Sequence, residues 1–299
     1  LISHGTVEDL DDLGAFVTNV RRGRPPPPEL VSELRRRYES IWGSPLNSIN
    51  ADIARKLEDR LESGARVVLA NRLWRPSVRS VLESLAKDGV KRAAVIALAQ
   101  HSAHVYAEDA RGAAVGTGVE VFCGASWGLR ADLCAAFASR IAALLEASAD
   151  PSRTTLLMTA HSLPRSVVDG GDPYERDIRA AVAAITGDLR VRGAGRGAHV
   201  DVAFQSQGLA GPGAGAWLEP GVRAALESAR GRGDLHVIAA PIGFLADHVE
   251  VLYDLDVEGR YAAGELGLSY ARTPSLNASD DFIEILARIA VPLLEEMRR

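Results

Sequence analysis

Residues 154–164 read Thr-Thr-Leu-Leu-Met-Thr-Ala-His-Ser-Leu-Pro, an apolar run that stops at a histidine and a proline. The run is as long as a buried strand of a parallel sheet, and Pro164 ends it because proline lacks the amide hydrogen that a central strand needs. We therefore expect His161 at the carboxyl end of a strand, where open α/β sheets bind their ligands. Position alone leaves a second interpretation open, in which His161 is a hydrogen-bonded core histidine.

Similar apolar runs lie on both sides of this stretch, and most are followed by an amphipathic segment of helical period. They occupy residues 66–70, 93–99, 119–123, 199–204 and 235–240, and Leu1 is interpreted as the end of a first strand. This alternation predicts parallel sheets with right-handed crossovers. The predicted fold is α/β, with two similar Rossmann-like lobes, each a parallel sheet flanked by helices, and an active-site cleft between them. We place the lobes at residues 1–150 and 151–299, joined at a turn-like stretch, residues 148–152.

The composition of the 299-residue chain is that of a globular protein, with 47% apolar and 24% charged residues. It excludes a disordered chain, a collagen and a coiled coil. The chain has 34 Lys and Arg against 39 Asp and Glu, a formal charge of −5, which argues against nucleic acid as the main partner. Cys123 and Cys134 are too few for a disulfide framework or a four-cysteine metal site. No apolar stretch approaches the about 20 residues of a transmembrane helix, so we expect a cytoplasmic protein without a stable membrane anchor.

A second candidate lies in residues 243–258, Gly-Phe-Leu-Ala-Asp-His-Val-Glu-Val-Leu-Tyr-Asp-Leu-Asp-Val-Glu. Glu250, Asp254 and Glu258 recur at four-residue intervals, which places them on one face of an α-helix with a drift of about 40° per step. A solvated acidic face is one interpretation. The apolar neighbours favour another, a line of carboxylates that enters a cleft and serves hard cations or protons. With His161, such a carboxylate would form a two-ligand site that holds a divalent metal while bases remove protons from its acceptor.

Several segments, taken in order, resemble the ferrochelatase family, specifically the small monomeric bacterial type of Gram-positive organisms. They are Arg21-Arg22-Gly23-Arg24, Gly43-Ser44-Pro45-Leu46, Arg72-Leu73-Trp74-Arg75-Pro76, Ala160-His161-Ser162-Leu163-Pro164, Gly171-Asp172-Pro173-Tyr174, Phe204-Gln205-Ser206, Trp217-Leu218-Glu219-Pro220 and residues 243–254. The resemblance covers nearly the whole chain. It implies insertion of Fe²⁺ into a porphyrin, coproporphyrin III or protoporphyrin IX, with release of two protons, in haem biosynthesis. Porphyrin and ferrous iron are then the substrates, and no organic cofactor is expected.

The resemblance also implies roles for individual residues. The family's catalytic histidine and glutamate fall on His161 and Glu250, and which of them takes the proton and which holds the metal stays open. The family carries its carboxylates on a π-type helix. The resemblance implies that His161, Glu250, Asp254 and Glu258 bind metal. It also implies a second divalent cation, Mg²⁺, near Asp254 and Glu258. The porphyrin-binding residues implied are His4, Arg21, Arg22, Arg24, Ser44, Trp74 and Trp217.

The chain departs from the family pattern at several points. His4 stands where related bacterial enzymes have a tyrosine, and Trp42-Gly43 replaces the usual Gly-Gly loop. A stretch that is rich in Ser and Thr in the family reads Ala-Gln-His-Ser-Ala-His here, at residues 99–104. No C-terminal cysteine cluster is present, so no iron–sulfur cluster is expected. Because the resemblance is to the monomeric bacterial type, we expect a monomer. Two alternatives stay open: a non-catalytic haem- or porphyrin-binding protein on the same fold, and a chelatase for another tetrapyrrole such as sirohydrochlorin.

Overall fold

The computed structural model describes residues 1–61, 64–148, 150–207 and 215–299. Their contacts form two compact units, an N-terminal unit of residues 1–127 and 277–299 and a C-terminal unit of residues 128–276. The predicted joint at residues 148–152 includes residue 149, which lies outside the described residues. The predicted division into lobes at residues 1–150 and 151–299 stays a prediction.

The N-terminal unit is built on short parallel strands. Strand β1 (Ile2–Ser3) pairs with β2 (Ala70–Asn71), and β3 (Arg92–Val95) pairs with β4 (Glu120–Cys123). A parallel bridge from Ile2 to Ala97, just beyond β3, joins the two pairs into the order β2-β1-β3-β4. The helices of this unit are α1 (Leu13–Val20), α2 (Pro28–Ser40), α3 (Leu46–Leu61), α4 (Val78–Lys87), α5 (Ala103–Ala114) and α12 (Asp280–Arg298).

The C-terminal unit contains a parallel sheet in the order β6-β5-β7-β8. Its strands are β5 (Thr154–His161), β6 (His199–Gln205), β7 (His236–Ala240) and β8 (Ser269–Arg272). Its helices are α6 (Ala131–Glu146), α7 (Arg165–Asp169), α8 (Tyr174–Arg192), α9 (Val222–Arg232), α10 (Val249–Val251), a π-helix (Leu252–Gly259) and α11 (Arg260–Glu265). Within the residues described, no helix has both the length and the apolar character needed to cross a bilayer.

The two units repeat one strand order. In each, the first strand of the unit lies between the second and the third, and the fourth lies at the edge beside the third. This repetition and the parallel pairing confirm the predicted α/β class, with parallel sheets flanked by helices. The predicted strands did not include β8. Of the predicted strand over residues 66–70, only Ala70 is in a strand, where it is the register partner of Ile2.

The core of the C-terminal unit surrounds β5, whose residues from Thr154 to Ala160 are all buried. Leu157 packs with α9 and α11 through a cluster that includes Leu226 and Ala263. A second cluster contains Ala160, Phe204 and Ile178 from α8. Because helices cover β5 on both faces, only its carboxyl end is left to carry a polar side chain toward a ligand.

Candidate active site

The end of β5 carries the candidate histidine. His161 is the last residue of that strand and is the register partner of Gln205, the last residue of β6. Its Nδ1 lies 2.9 Å from Glu250 Oε2, and the two side chains are 33% and 23% exposed. The structure therefore brings together the two residues that the sequence proposed as catalytic, in a pair that is shielded but still open to a ligand.

The pair has a defined electrostatic balance. Burial lowers the pKa of His161, but the charge and hydrogen bond of Glu250, aided by the charge of Asp254, outweigh burial and raise the pKa above its usual value. A neutral His161 that donates from Nδ1 to the carboxylate keeps the lone pair of Nε2 for another partner. The arrangement can thus supply either a base or a metal ligand at Nε2.

A second histidine, His248, lies beside the pair. Its Nε2 is 4.0 Å from Glu250 Oε2, its Nδ1 is 3.0 Å from the carbonyl oxygen of Ala246, and its ring centroid is 4.9 Å from that of Phe244. Burial lowers the pKa of His248, which favours the neutral ring. His248 had no predicted role, although its position two residues before Glu250 was an available signal in the sequence.

The acidic stripe lies on α10 and on the π-helix that the resemblance implied, and the structure confirms that helix over Leu252–Gly259. A π-helix closes its hydrogen bonds at i→i+5, so four-residue intervals no longer repeat as they do on an α-helix. Asp254 is buried, at 8% exposure, whereas Glu258 is exposed. Across the residues with described positions, no three His, Cys, Asp or Glu side chains form a group that could hold a metal ion.

The end of β6 holds the acidic stripe in place. Gln205 donates from Nε2 to the backbone carbonyl of Glu250, and the hydroxyl of Ser206 donates to Asp254 Oδ2. Ser206 adopts a φ of 62°, a left-handed conformation that is costly for a residue other than glycine. This role of Gln205 and Ser206 was not predicted, although polar residues directly after a buried apolar run were a usable signal in the sequence.

The segment around Trp217 is joined to the segment that follows His161. Ser162 donates its hydroxyl to the Leu218 carbonyl at 3.0 Å, and the Leu218 amide donates to the Leu163 carbonyl at 3.0 Å. An antiparallel bridge pairs Pro164 with Trp217. Trp217, proposed for porphyrin binding, is therefore held a few residues from the end of β5 and is partly exposed.

In the N-terminal unit, candidate porphyrin-binding residues form an aromatic row. The exposed His4 ring meets Phe16 edge-on at 6.3 Å between centroids, and Phe16 meets Trp74 edge-on at 5.7 Å. The guanidinium of Arg75 lies over the Trp74 ring at 4.6 Å. Edge-to-face contacts orient these rings without covering His4, so its imidazole is presented at the surface.

The arginine segment follows α1 directly. Arg21 is partly buried, and Arg22 and Arg24 are exposed. Arg22 and Gly23 both have positive φ, 55° and 84°, so the chain turns sharply between the partly buried Arg21 and the exposed Arg24.

The loop that carries Ser44 also has an unusual backbone. Ser44 Oγ is buried and has no hydrogen-bond partner among the described residues. Two residues earlier, Trp42 is 97% exposed with a φ of 61°. A bulky residue with positive φ is strained, so the replacement of glycine by Trp42 costs stability here.

Glu250 sets the pKa of His161, and its removal gives a direct test. We expect Glu250→Gln to lower the pKa of His161, because burial then acts without the opposing carboxylate. The measurement is the pH titration of the His161 ring signals by NMR, with His199, which bonds Asp234 instead, as the internal control. An unchanged His161 titration would contradict the proposed balance.

The raised pKa of His161 makes the stability of the folded chain depend on pH. In the wild type, the raised pKa stabilises the folded chain most below about pH 6.5, the usual pKa of histidine, and this contribution is lost as the pH rises through the raised value.

Gly243 is packed against the strand that ends in His161. A Cβ built at Gly243 would lie 2.6 Å from the Cβ and 2.7 Å from the Cα of Ala160. Since that backbone is fixed in β5, we expect Gly243→Ala to lower the free energy of unfolding by about 1–3 kcal/mol and to shift the His161 NMR signals. Gly187→Ala is the matched control, because its Cβ would meet nothing within 4 Å. Equal effects of the two substitutions on unfolding in urea would contradict the packing argument.

Comparison with known proteins shows the family to which the chain is similar. The ferrochelatase family model matches residues 1–292. The chain is 32% identical to a ferrochelatase of Thermus thermophilus, over 96% of each chain. It is 37% identical to a coproporphyrin III ferrochelatase of Mycobacterium marinum, over 100% of this chain and 86% of the relative.

Two solved structures share the fold. SirB from Bacillus subtilis with Fe³⁺ aligns with a TM-score of 0.60 at 11% identity, over 98% of this chain and 93% of the other. The sirohydrochlorin chelatase SirB from Bacillus subtilis subspecies spizizenii in complex with cobalt aligns with a TM-score of 0.53 at 13% identity, over 83% and 90%. At these identities the likeness establishes a chelatase-like fold. Because the family model matches residues 1–292 of the 299-residue chain, the chain belongs to the ferrochelatase family.

Proposed function

We propose that the chain inserts ferrous iron into coproporphyrin III and that His161 and Glu250 handle the protons that leave the macrocycle. Insertion of iron into a porphyrin, in haem biosynthesis, follows from membership of the ferrochelatase family. The choice of coproporphyrin III is supported by relatives that carry this substrate in their names, at 32% to 37% identity. The observation that carries the site assignment is the 2.9 Å contact between His161 Nδ1 and Glu250 Oε2.

The proton balance of the reaction fits this pair. Metallation exchanges two pyrrole N–H protons for one Fe²⁺, so the site must accept protons while the metal enters. Glu250 fixes the tautomer of His161, which leaves Nε2 as the acceptor, and the carboxylate then stabilises the imidazolium that forms. We propose that His161 takes one pyrrole proton at Nε2, releases it to solvent from its partly exposed ring and then takes the second. Glu250 shares the charge at each step, so that the two residues titrate as one unit.

The N-terminal unit offers cationic groups for the carboxylates of the porphyrin. A cavity of about 410 Å³ lies beside the arginine segment, which supplies Gly23 to its wall. Arg72 in that wall is held by Asp109 and by the Tyr106 ring at 5.3 Å. The cavity is lined by Asn19, Gly23, Arg72, Leu73, Trp74, Arg75 and Ser77. Guanidinium groups match carboxylates in shape and charge, so we propose that this region, with Arg21, Arg22 and Arg24, binds the propionate groups.

The remaining assignments are part of the same proposal. Mg²⁺ uses one or two carboxylates and keeps several waters, so a second divalent cation at Asp254 and Glu258 needs water ligands, because the described residues form no group of three His, Cys, Asp or Glu side chains there. We propose a monomer in the cytoplasm, without a membrane anchor or an iron–sulfur cluster. His4, Ser44, Trp74 and Trp217 stay predicted porphyrin contacts.

The direct test is anaerobic Fe²⁺ insertion, measured with coproporphyrin III and protoporphyrin IX side by side. Loss of porphyrin fluorescence together with the metalloporphyrin absorption spectrum reports turnover. We expect a higher kcat/KM with coproporphyrin III, since its four propionates meet more of the arginine side chains. Preference for protoporphyrin IX would overturn the substrate assignment. Tight porphyrin binding without turnover would favour the non-catalytic haem-binding alternative.

Variants at the pair test the roles of the two residues. We expect His161→Ala to nearly abolish metallation and leave a small residual rate, while porphyrin binding, followed by fluorescence quenching, is largely kept. Glu250→Gln should lower kcat by about 10² or more, in line with the about 10²–10⁴ contributed by acid–base groups. Unchanged turnover in His161→Ala would remove His161 from the mechanism, and a loss below about tenfold in Glu250→Gln would assign that residue a structural role.

A further inference from the structure

We infer that Arg272 is the positioning residue that fixes Glu250, through ion pairs to two carboxylates that flank it in the chain. Arg272 is the last residue of β8. Its Nε and Nη2 donate to Asp256 Oδ1 and Oδ2, both at 2.8 Å, and its Nη1 donates to Asp247 Oδ1 at 3.2 Å. The inference rests on the proposed function, since it gives Arg272 a role in the geometry of that same site.

The two carboxylates enclose Glu250 in sequence. Asp247 lies three residues before it, in the loop that leads into α10, and Asp256 lies six residues after it, on the π-helix. One guanidinium therefore ties both ends of the segment to the edge of the sheet. Displacement of either end would move Glu250 relative to His161, which is anchored independently at the end of β5.

The geometry is that of a built ion-pair network. Two parallel N–H···O bonds from one guanidinium to one carboxylate form the most directional ion pair available to side chains. The Arg272 side chain is only 12% exposed, and it also donates to the Thr273 carbonyl at 3.1 Å. Asp247 Oδ1 accepts a further bond from the Ser275 hydroxyl at 2.7 Å. A pair so shielded from water is screened far less than a surface ion pair.

The segment needs such a tie for two reasons. A π-helix is rare and occurs mostly as a single turn within an α-helix, so we expect tertiary contacts to hold this one in place. The stretch from residue 247 to residue 258 also carries Asp247, Glu250, Asp254, Asp256 and Glu258, and like charges at this spacing repel. A cation that pairs with Asp247 and Asp256 lowers that repulsion without occupying Glu250 or His161, which leaves the proposed catalytic pair available.

Contacts from β6 do not make Arg272 redundant. Gln205 and Ser206 hold the Glu250 carbonyl and the Asp254 carboxylate, and both contacts come from the side of the sheet where β6 lies. Arg272 holds the segment from β8, at the opposite edge of the sheet. Glu250 is thus fixed from two strands that flank β5 and β7, and removal of either support frees one side of the segment.

The test compares Arg272→Gln and Arg272→Lys with a matched control, Arg232→Gln. Arg232 lies in the same unit but near the amino ends of the strands, and it also joins two carboxylates, Asp201 at 2.6 Å and Asp234 at 3.4 Å. For each variant, kcat, the KM for porphyrin and the thermal unfolding midpoint are measured, with Glu250→Gln as the reference for loss of the glutamate.

We expect Arg272→Gln to lower kcat by about tenfold to a hundredfold, the cost of a displacement of about 1 Å at a reacting group, while KM changes by less than about twofold. Arg272→Lys should recover part of kcat, because lysine restores the charge but not the fork. Arg232→Gln should lower the unfolding midpoint about as much as Arg272→Gln does, but leave kcat within about twofold of the wild-type value.

A folded Arg272→Gln protein with wild-type kcat would overturn the inference, as would an equal loss of kcat in Arg232→Gln, which would point to general stability. If Arg272→Gln does not fold, Asp256→Asn replaces it under the same criteria, because it weakens the same fork with a smaller change. Failure of the proposed function looks different: in that case the wild-type chain shows no iron insertion, or Glu250→Gln itself keeps full turnover. Loss of turnover in Glu250→Gln with full turnover in both Arg272 variants would contradict the inference alone.

Discussion

The contact between His161 Nδ1 and Glu250 Oε2 joins residues that are 89 positions apart in the chain. It is possible only because β5 ends at His161 and the acidic segment returns to the same edge of the sheet after β7. Much of the surrounding structure serves that meeting: the close approach of Gly243 to Ala160, the bonds from Gln205 and Ser206, and the pairing of Ser162 with Leu218. A parallel sheet supplies the common edge, and the loops at its carboxyl ends supply the chemistry.

Carboxylates concentrated near one histidine cost stability unless cations or protons balance them. Here the balance is divided. His161 lies against Glu250, with its pKa raised by that charge, Asp254 accepts from Ser206, and Arg272 pairs with Asp256 and Asp247. The carboxylates that flank the pair are thereby engaged, and the bond to Glu250 uses Nδ1 of His161 rather than Nε2, the atom that we propose accepts the proton. For a reaction that takes in a dication and gives up two protons, such a partly neutralised site favours both exchanges.

The sequence was sufficient to predict the α/β class and the position of His161, because a buried apolar run that ends at His161 and Pro164 has few other interpretations. The π-helix came from the resemblance alone, since four-residue spacing equally suits an α-helix. Arg272 could not be found, because its 16-residue separation from Asp256 leaves no periodic signal and β8 has no long apolar run. The roles of Gln205 and Ser206 could not be predicted either. Their bonds to Glu250 and Asp254 depend on how the end of β6 packs against a segment about 45 residues later in the chain.

We propose that His161 and Glu250 act as one unit, and a double-mutant cycle on kcat measures the coupling between the two residues directly. Turnover of His161→Ala, Glu250→Gln and the double variant would be compared under the same anaerobic conditions. If the pair is one proton-handling unit, the double variant is no slower than the slower single variant, within about twofold. If the two losses multiply in the double variant, the residues act independently and the account is contradicted.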